Sequence, residues 1–166
     1  MPNILAKGQP RMRRDEIDQE LRDLAFDFFY WFSRFEFALK ERRFLKSDKI
    51  GDRAEPSWDK FVKEYRGAYK PTPAGKALLD EKPKRQIVGD PEHGFEEVPF
   101  SPKTADLDKL VAYAKTVRNN LFHGGKHGYD QWDDPKRMRR LLELTITVLA
   151  ELAVLGGFGG DYDRTY

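Results

Sequence analysis

The sequence predicts an all-α protein: a helical bundle of three main helices, with short helices and a loop-rich insertion between the first and second. Three observations carry this. Long segments repeat apolar residues at gaps of three and four, the signature of one helix face. Capping residues and paired glycines bracket them. Most of the ten prolines fall in a single middle stretch, where the periodicity is lost. The length of 166 residues suits one domain with a core of its own.

Residues 1–14 hold Gly8, Pro10 and scattered basic residues and read as a flexible lead-in. The first main helix is expected over about Asp15–Lys46. Ile17, Leu21, Leu24, Phe28, Trp31, Phe35 and Ala38 form its stripe, and Phe29, Phe32 and Leu39 widen it. Asp15 and Glu16 suit the positive end of the helix dipole; Lys40, Arg42, Arg43 and Lys46 suit the negative end, before Gly51. A face so rich in aromatic rings needs more than one neighbour, so a bundle or a dimer is implied.

Residues 47–103 read as an insertion or lid. Ser57 is a candidate cap for a short helix to about Arg66, with Trp58, Phe61, Val62 and Tyr65 on its apolar side. Pro71–Gly75 breaks it, and a turn of helix holds Ala77, Leu78 and Leu79. Arg85–Phe100 is either a small hairpin or an irregular loop. The second main helix is expected from Thr104, as cap, to Phe122, with Leu107, Leu110, Val111, Ala114, Val117 and Leu121 on one stripe and Gly124-Gly125 as its stop. Asp134 caps the third, with Pro135 in its first position and Gly156-Gly157 at its end. The domain is thus expected over 15–155, followed by a loose glycine-rich tail over 156–166.

With no cysteine, disulfides, thiolate metal sites and a cysteine nucleophile are excluded. Thirty basic against 28 acidic residues give a net charge of +2. That balance neither announces nor forbids a nucleic-acid substrate met at a local positive site. No apolar run follows the basic residues of the first fourteen, and the longest, near Thr147–Leu155, contains Glu151. The expected location is the cytoplasm, with no membrane partner.

The residues that can do chemistry are Arg118-Asn119-Asn120-Leu121-Phe122-His123, ahead of Gly124-Gly125. His123 ends the helix, where the dipole favours a protonated imidazole. Histidine gives or takes a proton near neutral pH, and the guanidinium of Arg118 stabilises charge on phosphoryl oxygens. An asparagine orients sugar or phosphate. RNA brings its own nucleophile, the ribose 2′-hydroxyl. The residue types therefore match metal-independent cleavage of RNA, and no cofactor or metal is expected.

The pattern R-N-x-x-x-H, met by Arg118, Asn119 and His123 at the end of a helix, resembles the motif of the HEPN superfamily, in its Apea-like or related prokaryotic branches. The resemblance extends by pattern to the helices at 15–46, 104–123 and 135–155. It implies a small helical bundle that dimerises so that two motifs face one cleft. It also implies an endoribonuclease acting as a toxin or antiviral defence effector, with an antitoxin, such as a nucleotidyltransferase, or another defence protein as possible partner. Carried over, His123 is the acid/base group, Arg118 the phosphate-contacting cation and Asn119 the supporting polar residue; two copies would supply two histidines, one accepting a proton while the other donates. The alternative is a non-catalytic helical module that binds a protein or a nucleotide.

Other residues have two readings each. Glu36 either pairs with Arg118 across the bundle, as a supporting residue, or sits on the wet face. Asn120, Lys126 and His127 are candidate substrate contacts, against a solvated loop for the last two. The spacing of His123 and His127 would suit a metal on a helix, but the glycines between them destroy that geometry. Arg42, Arg43, Arg137, Arg139 and Arg140 either meet RNA backbone or form the wet faces of their helices. Trp58, Phe61 and Tyr65 either stack on bases or are buried.

Overall fold

The structure, a computed structural model, describes residues 15, 17–91, 93–123 and 134–163. In chain order these form α1 (Gln19–Glu41), α2 (Trp58–Tyr65), α3 (Pro73–Glu81), β1 (Arg85–Ile87), β2 (Gly94–Glu96), α4 (Asp106–His123), α5 (Pro135–Leu155) and α6 (Gly159–Tyr162). The all-α class holds. The long pair α1 and α5 packs together, α3 lies against α4 and α5, and α2 lies against α4. None of the described helices is long and apolar enough to cross a membrane.

α1 is shorter than expected at both ends. Asp18 caps it, accepting from the Leu21 amide at 2.8 Å. At the far end Arg43 takes a left-handed conformation, φ 64°. The Arg43 amide then reaches the Lys40 carbonyl and the Phe44 amide the Leu39 carbonyl, at 3.0 and 2.9 Å. This is the Schellman turn that glycine usually makes. Here an arginine is held in it because Phe44 swings back onto Phe61, Tyr65 and Phe158. α5 ends in the same turn on Gly157, φ 67°, with Phe158 donating its amide to the Ala153 carbonyl at 2.8 Å. The two phenylalanines that follow these helix ends pack against each other, ring centres 6.0 Å apart.

Phe158 is fully buried and Tyr162 nearly so, which corrects the expectation of a loose tail from 156 onward. Arg34, itself buried, donates to the Tyr162 carbonyl at 3.3 Å and to that of Asp161; Arg42 bonds the Asp161 carboxylate at 3.0 Å. The tail is thus latched to α1 by two arginines.

Residues 47–103 are not only a lid. Ser57 and Thr72 cap α2 and α3 through the Lys60 and Gly75 amides at 3.2 and 2.9 Å, and Trp58, Phe61, Val62 and Leu78 join the core. Pro73, expected to break helix, begins one, as proline does where no amide partner is needed. The hairpin pairs Gln86 with Phe95. Between α1 and α2 a small clip forms: Leu45 bridges Pro56, the Lys46 amide donates to the Glu55 carbonyl at 3.0 Å and the Ser57 amide to that of Phe44 at 2.8 Å. Thr104 does not cap α4. Its hydroxyl meets that of Ser101 at 3.2 Å, and the Ala105 carbonyl opens the helix by accepting from Lys109. Asp134 does cap α5, through the Arg137 amide at 3.1 Å.

Candidate functional site

The predicted motif occupies the last two turns of α4. Val117 is buried and fixes the phase of the helix. Arg118 and Asn120 are half-buried, while Asn119 and His123 are exposed. Arg118 Nη1 donates to Asn119 Oδ1 at 3.1 Å, and its guanidinium lies 5.0 Å from the centre of the Phe122 ring, a cation–π arrangement. Among the described residues no carboxylate lies within ion-pair distance of Arg118. Its charge therefore remains open to an anion.

Arg118, Asn119 and Lys115 form one wall of a groove of about 500 Å³. Phe32 and Glu36 of α1 and Trp58 and Asp59 of α2 form its floor and side, and Lys46, Arg53 and Glu55 of the clip close it. The structure thus brings Arg118, Asn119 and Glu36 to one cavity. The expected pairing of Glu36 with Arg118 does not form. Glu36 Oε1 instead accepts from Trp58 Nε1 at 3.0 Å, since a nearly buried indole N–H needs an acceptor. Glu55 is held by Lys46 at 2.9 Å. The hydrogen bond and charge of Lys46, with Arg53 nearby, lower its carboxyl below the ordinary 4.5.

His123 does not line this groove. α4 runs unbroken to His123, so five residues separate the two side chains by about 140° around the axis and about 7.5 Å along it. Within one chain the imidazole and the guanidinium leave the helix in different directions. Asn120 is turned elsewhere too: its amide donates to the Lys84 carbonyl at 2.8 Å and ties α4 to the α3–β1 connection. Lys126 and His127 lie outside the described residues.

The other candidates take the bland reading. Arg137 and Arg140 share the Glu81 carboxylate, Arg139 reaches Glu20 and Asp18 at 3.1 and 3.4 Å, and Arg42 is spent on the C-terminal latch. Trp58 and Phe61 are buried and Tyr65 packs against the core. Among the described residues no group of three histidine or acidic side chains has the geometry of a metal site.

Two features were missed in the sequence. Lys115, one turn before Arg118, shares its face of α4, a spacing that could have flagged it. Phe29 was assigned to the core stripe, yet it is 48% exposed, beside Phe26 at 64% and Phe122 at 47%. Phe29 lies 6.4 Å from Phe26 and 5.8 Å from Phe122, centre to centre. The three rings make one partly exposed apolar patch that includes Phe122, the neighbour of His123 in the chain.

A scan against protein-family models and searches of curated proteins and of solved structures each return no match.

Proposed function

We propose that this chain is a HEPN-like, metal-independent endoribonuclease that works as a homodimer. The observation that carries the reading is the end of α4. An exposed imidazole and an arginine fork with no carboxylate partner among the described residues stand beside the Phe26–Phe29–Phe122 patch. Arginine is the natural contact for the non-bridging oxygens of a phosphodiester. Histidine has the pKa range for moving the protons.

The divergence of Arg118 and His123 within one helix supports a role for the second copy in the chemistry. A two-fold contact over the aromatic patch would bury its rings and set two α4 ends side by side. The ribose 2′-oxygen then attacks the adjacent phosphorus as one His123 removes its proton. The bond from phosphorus to the 5′-oxygen breaks, and the second His123 protonates that leaving oxygen. The products are a 2′,3′-cyclic phosphate and a 5′-hydroxyl. Arg118 stabilises the negative charge on the non-bridging phosphoryl oxygens, with Asn119 steadying the fork. A toxin or defence role, with an antitoxin or other partner that restrains the activity, belongs to the same proposal.

The test is incubation of the purified protein with mixed RNA in chelator, beside His123→Ala. Loss of general acid–base catalysis lowers the rate by about 10²–10⁴-fold, and the native products carry cyclic phosphate ends. Equal background cleavage by both proteins overturns the enzyme reading. A second reading, a non-catalytic helical module for protein or nucleotide binding, draws on the fork lying on Phe122 and on the groove that leaves His123 out. Intact RNA together with retained dimerisation would favour it.

A further inference from the structure

The groove beside Arg118 does not end at the clip. A second cavity of about 260 Å³ between α2 and α4 is lined by Arg66, Asp108 and Val111 and shares Asp59 and Lys115 with the first. The two make one channel along α4, with Lys115 at the junction. At the far end Arg66 and Asp108 neutralise each other through two hydrogen bonds of 2.8 and 2.7 Å. At the clip, Lys46 and Arg53 flank Glu55 at 2.9 and 3.9 Å. Glu36 is engaged with the indole of Trp58. Of the four carboxylates lining the channel, Glu55 and Asp108 are ion-paired, while Glu36 and Asp59 have no cation within ion-pair distance among the described residues. Lys115 and Arg118 have no carboxylate partner within ion-pair distance among the described residues. The channel is lined by five cations and four carboxylates, and its two cations without such a partner share that one turn of α4, with Arg53 at the rim, its side chain 90% exposed.

We propose that this channel is a binding site for single-stranded RNA, in which Lys115, with Arg53 across the groove, holds the backbone phosphate next to the one that Arg118 contacts. The inference rests on the nuclease reading for the nature of the ligand and adds to it a track for the strand beyond the cut. A cavity of about 500 Å³ encloses a single nucleotide-sized group and is far too small for a duplex. Lys115 and Arg118 are three residues apart and present their charges on the same side of the helix, as a run of successive phosphates requires. Because the contacts are to backbone, binding is expected to be tolerant of sequence and sensitive to salt.

The experiment uses the full chain carrying His123→Ala, so that the probe survives, and follows a fluorescent oligouridine by anisotropy across a salt series. Uridine stacks weakly, so the backbone term dominates. Lys115→Ala should weaken binding about fivefold, the worth of one exposed charge pair, and reduce the slope of log K against log salt by about 0.7. Arg53→Glu, which touches nothing in the core, should act in the same direction. Lys76→Glu, of equal charge change and outside the channel, should leave binding alone. Affinity and slope unchanged in both channel variants overturn the proposal, as does no binding of the oligonucleotide at all. The two readings fail separately. If His123-dependent cleavage persists while channel variants bind normally, the track is wrong and the nuclease stands. If Lys115-dependent binding occurs without cleavage by the native chain, the track stands and the nuclease falls.

Discussion

Gly156→Ala sets two physical effects of opposite sign against each other. Gly156 caps α5 with φ −80°, an ordinary right-handed conformation that alanine adopts freely. On that count alone the substitution stabilises by about 0.4–1 kcal/mol, because the unfolded chain has less freedom to lose. The surroundings oppose it. A Cβ at this position would lie 2.8, 2.9 and 3.0 Å from three carbons of the Phe158 ring. That ring is fully buried and wedged among Phe35, Phe44 and Phe61, so it has nowhere to go. Overpacking of this kind costs about 1–3 kcal/mol. Three simultaneous contacts on a trapped ring put the cost in the upper part of that range, so the net loss is about 1–2 kcal/mol. For a chain of 166 residues each kcal/mol lowers Tm by about 2–4 °C, giving a drop of about 2–8 °C. Urea unfolding should show a lower midpoint with an unchanged slope. In a Phe158→Leu background the same substitution should be neutral or stabilising, a coupling of about 1 kcal/mol or more. A rise in Tm for Gly156→Ala in the native chain would refute the seating of Phe158 described here.

Three more outcomes follow from the contacts described. Arg34→Met leaves the Asp161 and Tyr162 carbonyls without their cation, which should cost about 1.5–3 kcal/mol and speed amide hydrogen exchange over residues 158–163; unaltered exchange there would contradict the latch. Burial, with Asp163 adding to it, raises the Tyr162 hydroxyl above the ordinary 10.0, so the unfolded chain ionises there first. The stability from keeping this group neutral is whole below pH 10 and lost as pH climbs above it, and Tyr162→Phe should flatten the alkaline limb of the urea midpoint against pH. Glu55 is lowered instead, chiefly by Lys46. Its contribution is present above about pH 4.5 and fades as pH falls, and Glu55→Gln should remove the part of the acid limb that added salt also removes.

The helices were legible because their signals are local. Asp134 and Pro135 mark the start of α5, and Ser57 marks that of α2, each through a side chain and an amide a few residues away. What sequence could not give were features decided by distant partners. Nothing near Arg43 announces a left-handed residue; the turn is held by Phe44 meeting Phe61 and Phe158, the latter more than a hundred residues away. The glycines of the tail suggested looseness, yet they are what lets the chain fold Phe158 and Tyr162 under α1. For the candidate site, Arg118, Asn119 and Glu36 were singled out from residue types and one short motif, Glu36 with the choice of pairing with Arg118 or lying on the wet face, and the structure brings the three to one groove. The partner of Glu36 was not, because an indole donor on another helix outbids a more distant arginine only once the bundle is assembled. Phe29 sits in phase with the core stripe, and only the end of α4, where Phe122 meets it, shows that this part of the stripe has run past its covering.

The Leu45–Pro56 bridge has an engineering meaning as well. Its rungs close one side of the groove, while the tip it carries is held by Ser47, Lys49 and Asp52 and by one ion pair from Asp48 to Lys60 of α2 at 3.1 Å, and leaves Ile50 wholly in water. The tip thus touches the hydrophobic interior nowhere, and a longer, shorter or differently charged turn grafted between residues 49 and 52 would keep both the Asp48–Lys60 pair and Arg53 at the groove, so the aperture through which a ligand enters is adjustable by loop exchange.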